Sequence, residues 1–163
     1  MEKLTFILDV DGIFSDGTFY YTKEGKIAKK YGPDDNEALK LIQDKINIII
    51  MSGDNRAFEI TKKRVNDMGF ELLNVGGGKT RLEWIKQHYD LNNVIYMGDG
   101  LKDAFVLKNV MCGICTSTSS FLSKKYSDYI TTCGGGERAV AEAVFYIAEK
   151  FLHITPEELI GLE

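Results

Sequence analysis

Apolar residues along this chain gather in short runs, at 4–8, 46–51, 70–75, 93–97, 112–115 and 128–131. Runs of that length, bounded by Gly, Ser, Asn or Asp, predict buried strands. Between them the apolar positions lie three and four apart, which predicts helices over about 36–45, 57–68, 79–89, 101–109 and 137–151. A further short helix is expected before the last strand. Gly69 stands where the second helix should stop, at the position that favours left-handed backbone. Strands alternating with helices build a parallel sheet through right-handed crossovers. The expected fold is α/β: a Rossmann-like parallel sheet flanked by helices, in one domain spanning 1–163.

One segment breaks the alternation. Residues 18–22 and 26–31 carry aromatic and β-branched side chains around Lys23-Glu24-Gly25, and they predict a β-hairpin inserted after the first strand. An isolated hairpin is marginal in water. This one has aromatics to cover, so it is expected to pack on a second subunit or to fold back on its own sheet. Gly134-Gly135-Gly136 opens a Gly-rich tail from about 134.

Composition narrows the function class. The net charge is −4 and no basic stripe is visible, so a nucleic-acid partner is not expected. No apolar run approaches the ~20 residues that cross a bilayer. Met1-Glu2-Lys3 leads into the first strand without a cleavage-site pattern, and a cytoplasmic location is expected. Three cysteines, an odd number, suit a reducing compartment. Cys112-Gly113-Ile114-Cys115 has redox spacing but lies in a strand pattern rather than at a helix start, which argues against a redox pair.

The chemistry gathers at strand ends. Asp9 and Asp11 follow the first strand, Ser52 and Gly53 the second, Lys79 a run of three glycines, and Asp99 and Asp103 the fourth strand. Parallel strands put their carboxyl ends on one edge, where open α/β sheets bind ligands. Taken alone, Asp9-x-Asp11 could be ordinary turn chemistry. Together the residues supply a carboxylate nucleophile, a second carboxyl for proton transfer, a hydroxyl and an ammonium for phosphoryl oxygens, and acids for a divalent cation. Magnesium is the natural choice, because it takes few protein carboxylates and keeps waters that a phosphate can replace.

These residues resemble the four motifs of the haloacid dehalogenase superfamily, in order: Asp9-x-Asp11-Gly12, Ser52, Lys79 and Gly98-Asp99-x-x-x-Asp103. The longer Asp9-Val10-Asp11-Gly12-Ile13-Phe14-Ser15-Asp16-Gly17, followed by a hairpin, is similar to the capless subgroup that dephosphorylates octulosonate 8-phosphate and nonulosonate 9-phosphate sugar acids. The resemblance implies Mg2+ as cofactor and an aspartyl-phosphate intermediate. Asp9 would be the nucleophile and a metal ligand, and Asp11 the general acid and base with its backbone carbonyl on the metal. Ser52, Gly53 and Lys79 would bind phosphate, Asp99 would complete the metal site, and Asp103 would support Lys79 or the metal shell. It further implies a homotetramer built by the hairpin, and a Gly-rich tail that reaches an adjacent site.

The chain departs from that pattern. Gly100 and Lys102 stand where the subgroup usually has Asp and Asn, and Gly78 where an Asp commonly precedes the lysine. Ala141 replaces a frequent Arg, while Arg138 sits three residues earlier and is a candidate substrate contact. Asp54 and Arg56 could also touch substrate, although capping explains Asp54 equally well. Asp16 reads as a turn residue. Gly76-Gly77-Gly78 reads as room for Lys79 to enter the site. His88 and His153 read as surface or packing residues, and Trp84 as core. Two competing readings stay open: a catalytically weak scaffold domain, like the one fused to sialic-acid cytidylyltransferases, and a phosphate-accepting receiver domain.

Overall fold

The computed structural model describes residues 3–162. The reading of Met1 and Glu2 as a leaderless start lies outside them. Six parallel strands form the central sheet: β1 (Thr5–Asp9), β4 (Asn47–Ser52), β5 (Leu72–Asn74), β6 (Val94–Met97), β7 (Cys112–Cys115) and β8 (Tyr129–Ile130), in the order β5-β4-β1-β6-β7-β8. The chain winds outward from β1 in both directions, which makes β1 a central strand whose carboxyl end lies at the switch point. The predicted α/β class and parallel sheet are those observed.

Helices cover both faces. Phe6 and Leu8 of β1 belong to one core with residues of α1 (Asp35–Ile42), α2 (Phe58–Asp67) and α6 (Ala139–Ile147). Ile7 points the other way, into a second core with Leu82 and Ile85 of α3 (Lys79–His88) and Val106 and Leu107 of α4 (Ala104–Leu107). Strand side chains alternate, so Asp9 leaves the sheet on the same face as Ile7. The β1–β6 register sets Ile7 opposite Tyr96 and Leu8 opposite Met97. Asp9 therefore emerges beside Tyr96, on the α3 side.

The 101–109 helix is shorter than its apolar pattern suggests, a 3-10 turn at Leu101–Asp103 followed by α4, and the short helix expected before the last strand is α5 (Phe121–Tyr126). The last long helix ends at Ile147 and continues as a π-helical turn over Ala148–Leu152, before the capped α7 (Pro156–Ile160). Gly69 stops α2 with φ +88°. Cys112 and Cys115 are free, and three residues apart on a strand they face opposite sides of the sheet.

The hairpin is a sheet of its own, β2 (Ser15–Thr22) antiparallel to β3 (Gly25–Tyr31), and it begins three residues earlier than the aromatic pattern indicates. Asp16, its second residue, accepts from Thr18 N at 2.9 Å and from the Thr18 hydroxyl, the turn role expected of it. The hairpin reaches its own domain through buried lysines, yet Tyr20 and Tyr21 stay 70% and 62% exposed.

Candidate active site

The sheet edge opens into a cleft of about 500 Å³ whose lining includes Asp9, Asp11, Ser52, Gly53, Asp54 and Asp103. A larger cavity of about 650 Å³ lies between α1 and α6, but it is mostly apolar and none of the strand-end carboxylates borders it.

Asp9 sits at the floor of the cleft. Burial among apolar residues raises its pKa to about 7, with Asp103 and Asp11 adding repulsion and Arg81 opposing. Asp99 is likewise pushed up to about 7, by burial first and then by repulsion from Asp9, Asp103 and Asp11. Carboxylate oxygens of Asp9, Asp99 and Asp103 lie within 4.8 Å of one another. Three hard oxygen donors this close, two of them held back from ionising by burial and repulsion, fit a divalent cation.

Two glycines make this convergence possible. Gly12 has φ +76°, and a Cβ there would stand 1.8 Å from Asp99 Oδ2. A Cβ on Gly98 would meet the Asp103 carboxyl carbon at 2.6 Å and the Tyr96 ring at 2.7 Å. Asp103 then uses Oδ2 to accept from the backbone N–H groups of Asp99, at 3.1 Å, and Gly100, at 2.9 Å. The Gly-rich tail packs on the same loop in its own chain: Gly136 N donates to Ile13 O at 3.0 Å.

The cation beside Asp9 is Arg81, which sequence reasoning missed. Its Nη1 lies 3.0 Å from Asp9 Oδ1 and 3.4 Å from Asp103 Oδ1, donates to Tyr96 OH at 2.8 Å, and Nη2 donates to Val75 O at 3.1 Å. The side chain is 2% exposed. Lys79 is exposed instead, its ammonium 5.8 Å from the Phe105 ring centroid, and it is not among the residues lining the cleft. Helix periodicity carried this signal. Arg81 precedes buried Ile85 by one turn, whereas Lys79 is two residues, about 200°, further round. The glycine run does not admit Lys79; a Cβ on Gly78 would lie 3.5 Å from the Lys102 Cβ, an ordinary contact, and it is the backbone at φ +66° that favours glycine there.

The remaining candidates divide. Ser52 is buried, and its Oγ accepts from Asp54 N at 3.2 Å. Asp54 borders the cleft and accepts from Lys26 at 2.8 Å; burial would raise its pKa, but the bonds from Lys26 and Lys29 prevail and bring it to about 2. Arg56 is exposed and faces a neighbouring depression. Arg138 adopts φ +73°, pairs with Asp34, and borders the α1–α6 cavity rather than the cleft. Trp84 is half-buried and stacks on exposed His88 at 4.0 Å.

No protein-family model matches the chain. A solved 3-deoxy-D-manno-octulosonate 8-phosphate phosphatase from Moraxella catarrhalis, in complex with magnesium, phosphate and KDO, superposes with a TM-score of 0.77 and 30% identity, over 90% of this chain and 86% of its own. This chain belongs to the haloacid dehalogenase superfamily, among its KdsC-like members. The KdsC phosphatase of Escherichia coli K12 is 28% identical over 83% of this chain and 74% of its own. At 23% identity, the cobalt-bound Haemophilus influenzae phosphatase shares the fold, with a TM-score of 0.78 over 90% of this chain and 88% of its own. No helix among the described residues is long and apolar enough to cross a membrane.

Proposed function

We propose that this chain is a magnesium-dependent phosphomonoesterase acting on a phosphorylated 2-keto-3-deoxy sugar acid, of the octulosonate 8-phosphate or nonulosonate 9-phosphate type. The observation that carries the reading is the place of Asp9, half-buried between the Arg81 guanidinium and the carboxylates of Asp99 and Asp103. The substrate class draws its support from what the KdsC relatives are named for.

In this reading the Asp9 carboxylate bonds to phosphorus while the P–O bond to the leaving group breaks, giving an aspartyl-phosphate. Asp11 passes its proton to the leaving oxygen and then takes one from the water that cleaves the acyl phosphate. Ser52 and the Gly53 N–H bind phosphoryl oxygens. Arg81 takes the cationic role that the motif assigned to Lys79: it borders the cleft, with its Nη1 against the Asp9 carboxylate. Asp9 and Asp99, with the Asp11 backbone carbonyl, would hold magnesium, and Asp103 would orient the Asp99–Gly100 backbone. Magnesium, when bound, offsets the clustered carboxylate charge and that of the phosphoryl group.

The proposal takes 1–163 as one catalytic domain, cytoplasmic, and assembled as a homotetramer through the hairpin. Exposed Phe19, Tyr20, Tyr21 and Ile27 favour such an assembly. The test is phosphate release, with and without magnesium, across eight- and nine-carbon sugar-acid phosphates. Magnesium-dependent turnover of one of them is expected. Silence with magnesium still bound would overturn the substrate class, and silence without binding would favour the scaffold reading.

A further inference from the structure

The hairpin sends two lysines toward the cleft, and they differ in kind. Lys26 borders it and bonds to Asp54 at 2.8 Å. Lys29 has a side chain with no exposed surface. Its ammonium lies 2.9 Å from Asp11 Oδ1, 3.0 Å from Asp11 Oδ2, 3.0 Å from Asp54 Oδ2 and 2.9 Å from Thr61 Oγ1. Those acceptors come from the loop after β1, the loop after β4, and α2. An ammonium has three hydrogens, so Asp11, Asp54 and Thr61 can each take one, with the two Asp11 oxygens sharing.

Removing a lysine wholly from water is costly unless its bonds are complete, and here they are. With no exposed surface, Lys29 cannot itself bind substrate. What it can do is hold its acceptors. The Asp11 side chain is 33% exposed, so its open side faces the cleft while the Lys29 side is fixed.

Resting on the phosphomonoesterase reading, we propose that Lys29 is a positioning residue for Asp11, fixing the rotation of its carboxyl group for proton transfer to the leaving oxygen. One Asp11 oxygen keeps accepting from Lys29 while the other carries the proton. Once the proton has passed to the leaving oxygen, both oxygens are free to accept, as found here. The nucleophile is set by the sheet, through β1. The acid is set by an insertion that shares no strand pairing with that sheet. Hairpin docking and proton transfer are thereby linked.

A leaving group that departs without a proton separates this role from a structural one. Nitrophenolate is such a group, and a sugar alkoxide is not. The experiment compares kcat/KM of wild type, Lys29→Met and Asp11→Asn on 4-nitrophenyl phosphate and on the best alkyl phosphate of the sugar-acid panel. General acid catalysis contributes roughly 10²–10⁴-fold, so Lys29→Met should lose at least about tenfold more on the alkyl ester than on the aryl ester. Asp11→Asn marks the full extent of that change. Should Lys29→Met fail to fold by circular dichroism, Lys29→Ala, which also removes the donor, carries the same comparison. Equal losses on both esters, or none, would overturn the positioning role while leaving the phosphatase reading intact. A wild-type protein inert toward both esters would overturn the phosphatase reading, and Lys29's role with it.

Discussion

Gly12 and Asp99 approach so closely that a single methyl group on Gly12 would lie 1.8 Å from the Asp99 carboxylate. The loop after β1 and the loop after β6 meet at that point, and no side chain fits between them. Gly12→Ala should therefore displace Asp99 and strain a backbone at φ +76°. We expect the substitution to destabilise the fold by about 1–3 kcal/mol and to weaken magnesium binding more than tenfold. Thermal melts and isothermal titration check the two effects.

Asp9→Asn should stop turnover while the fold survives. Asparagine keeps the shape, and it removes a charge that burial already disfavours. A loss on the order of 10⁴-fold or more is expected for a covalent nucleophile. Intact-protein mass spectrometry after rapid quench should find a phosphorylated wild type and an unmodified variant. A phosphorylated variant would place the nucleophile elsewhere.

Arg81 and Lys79 should behave in opposite ways. Arg81→Met leaves Asp9 and Asp103 buried without their cation, and breaking such a pair costs about 3–5 kcal/mol. Activity should fall with it. Lys79→Met alters an exposed side chain and should shift stability by no more than about 0.5 kcal/mol. Chemical denaturation and kcat/KM for both variants make the comparison, and a severe Lys79 defect would return the phosphate-binding role to that residue.

Metal affinity should fall in acid. Asp9 and Asp99 titrate near 7, so both must lose protons before they can bind a cation. Below that pH the apparent magnesium constant should weaken by up to about tenfold per pH unit for each proton displaced. Stability of the metal-free protein runs the other way. Carboxyls whose folded pKa is raised contribute stability that is complete below the unfolded value of 3.8 and is lost as pH rises through about 7. The metal-free protein should thus melt at a higher temperature at pH 5 than at pH 8 from these two groups, and saturating magnesium should close the gap. Calorimetry at the two pH values, with a chelator or with magnesium, measures both signs.

The hairpin aromatics test the assembly. Tyr20→Glu with Ile27→Glu places charge on two exposed apolar side chains of the hairpin that the tetramer proposal buries. Light scattering should find a tetramer for wild type and a smaller species for the double variant. A wild-type monomer would sink the proposed assembly.

How much could be read from the chain alone follows from the range of the forces involved. The strand runs, the helix spacing, Gly69 as a helix stop and the acids at the strand ends are local patterns, and the sheet, its parallel sense and the meeting of Asp9, Asp99 and Asp103 at one edge follow from them. Even the choice of Arg81 over Lys79 lay in the helix period, since the residue one turn before Ile85 must share its buried face. Only the tertiary structure decided the rest. Lys29 meets Asp11 across 18 residues and Thr61 across 32, and nothing in a strand reading Lys26-Ile27-Ala28-Lys29-Lys30 says which lysine turns inward. Arg138 faces Asp34 for the same reason: its partner is 104 residues away. Short-range periodicity determines which elements form and which faces they bury, but a charged side chain's partner is set by the packing of distant elements.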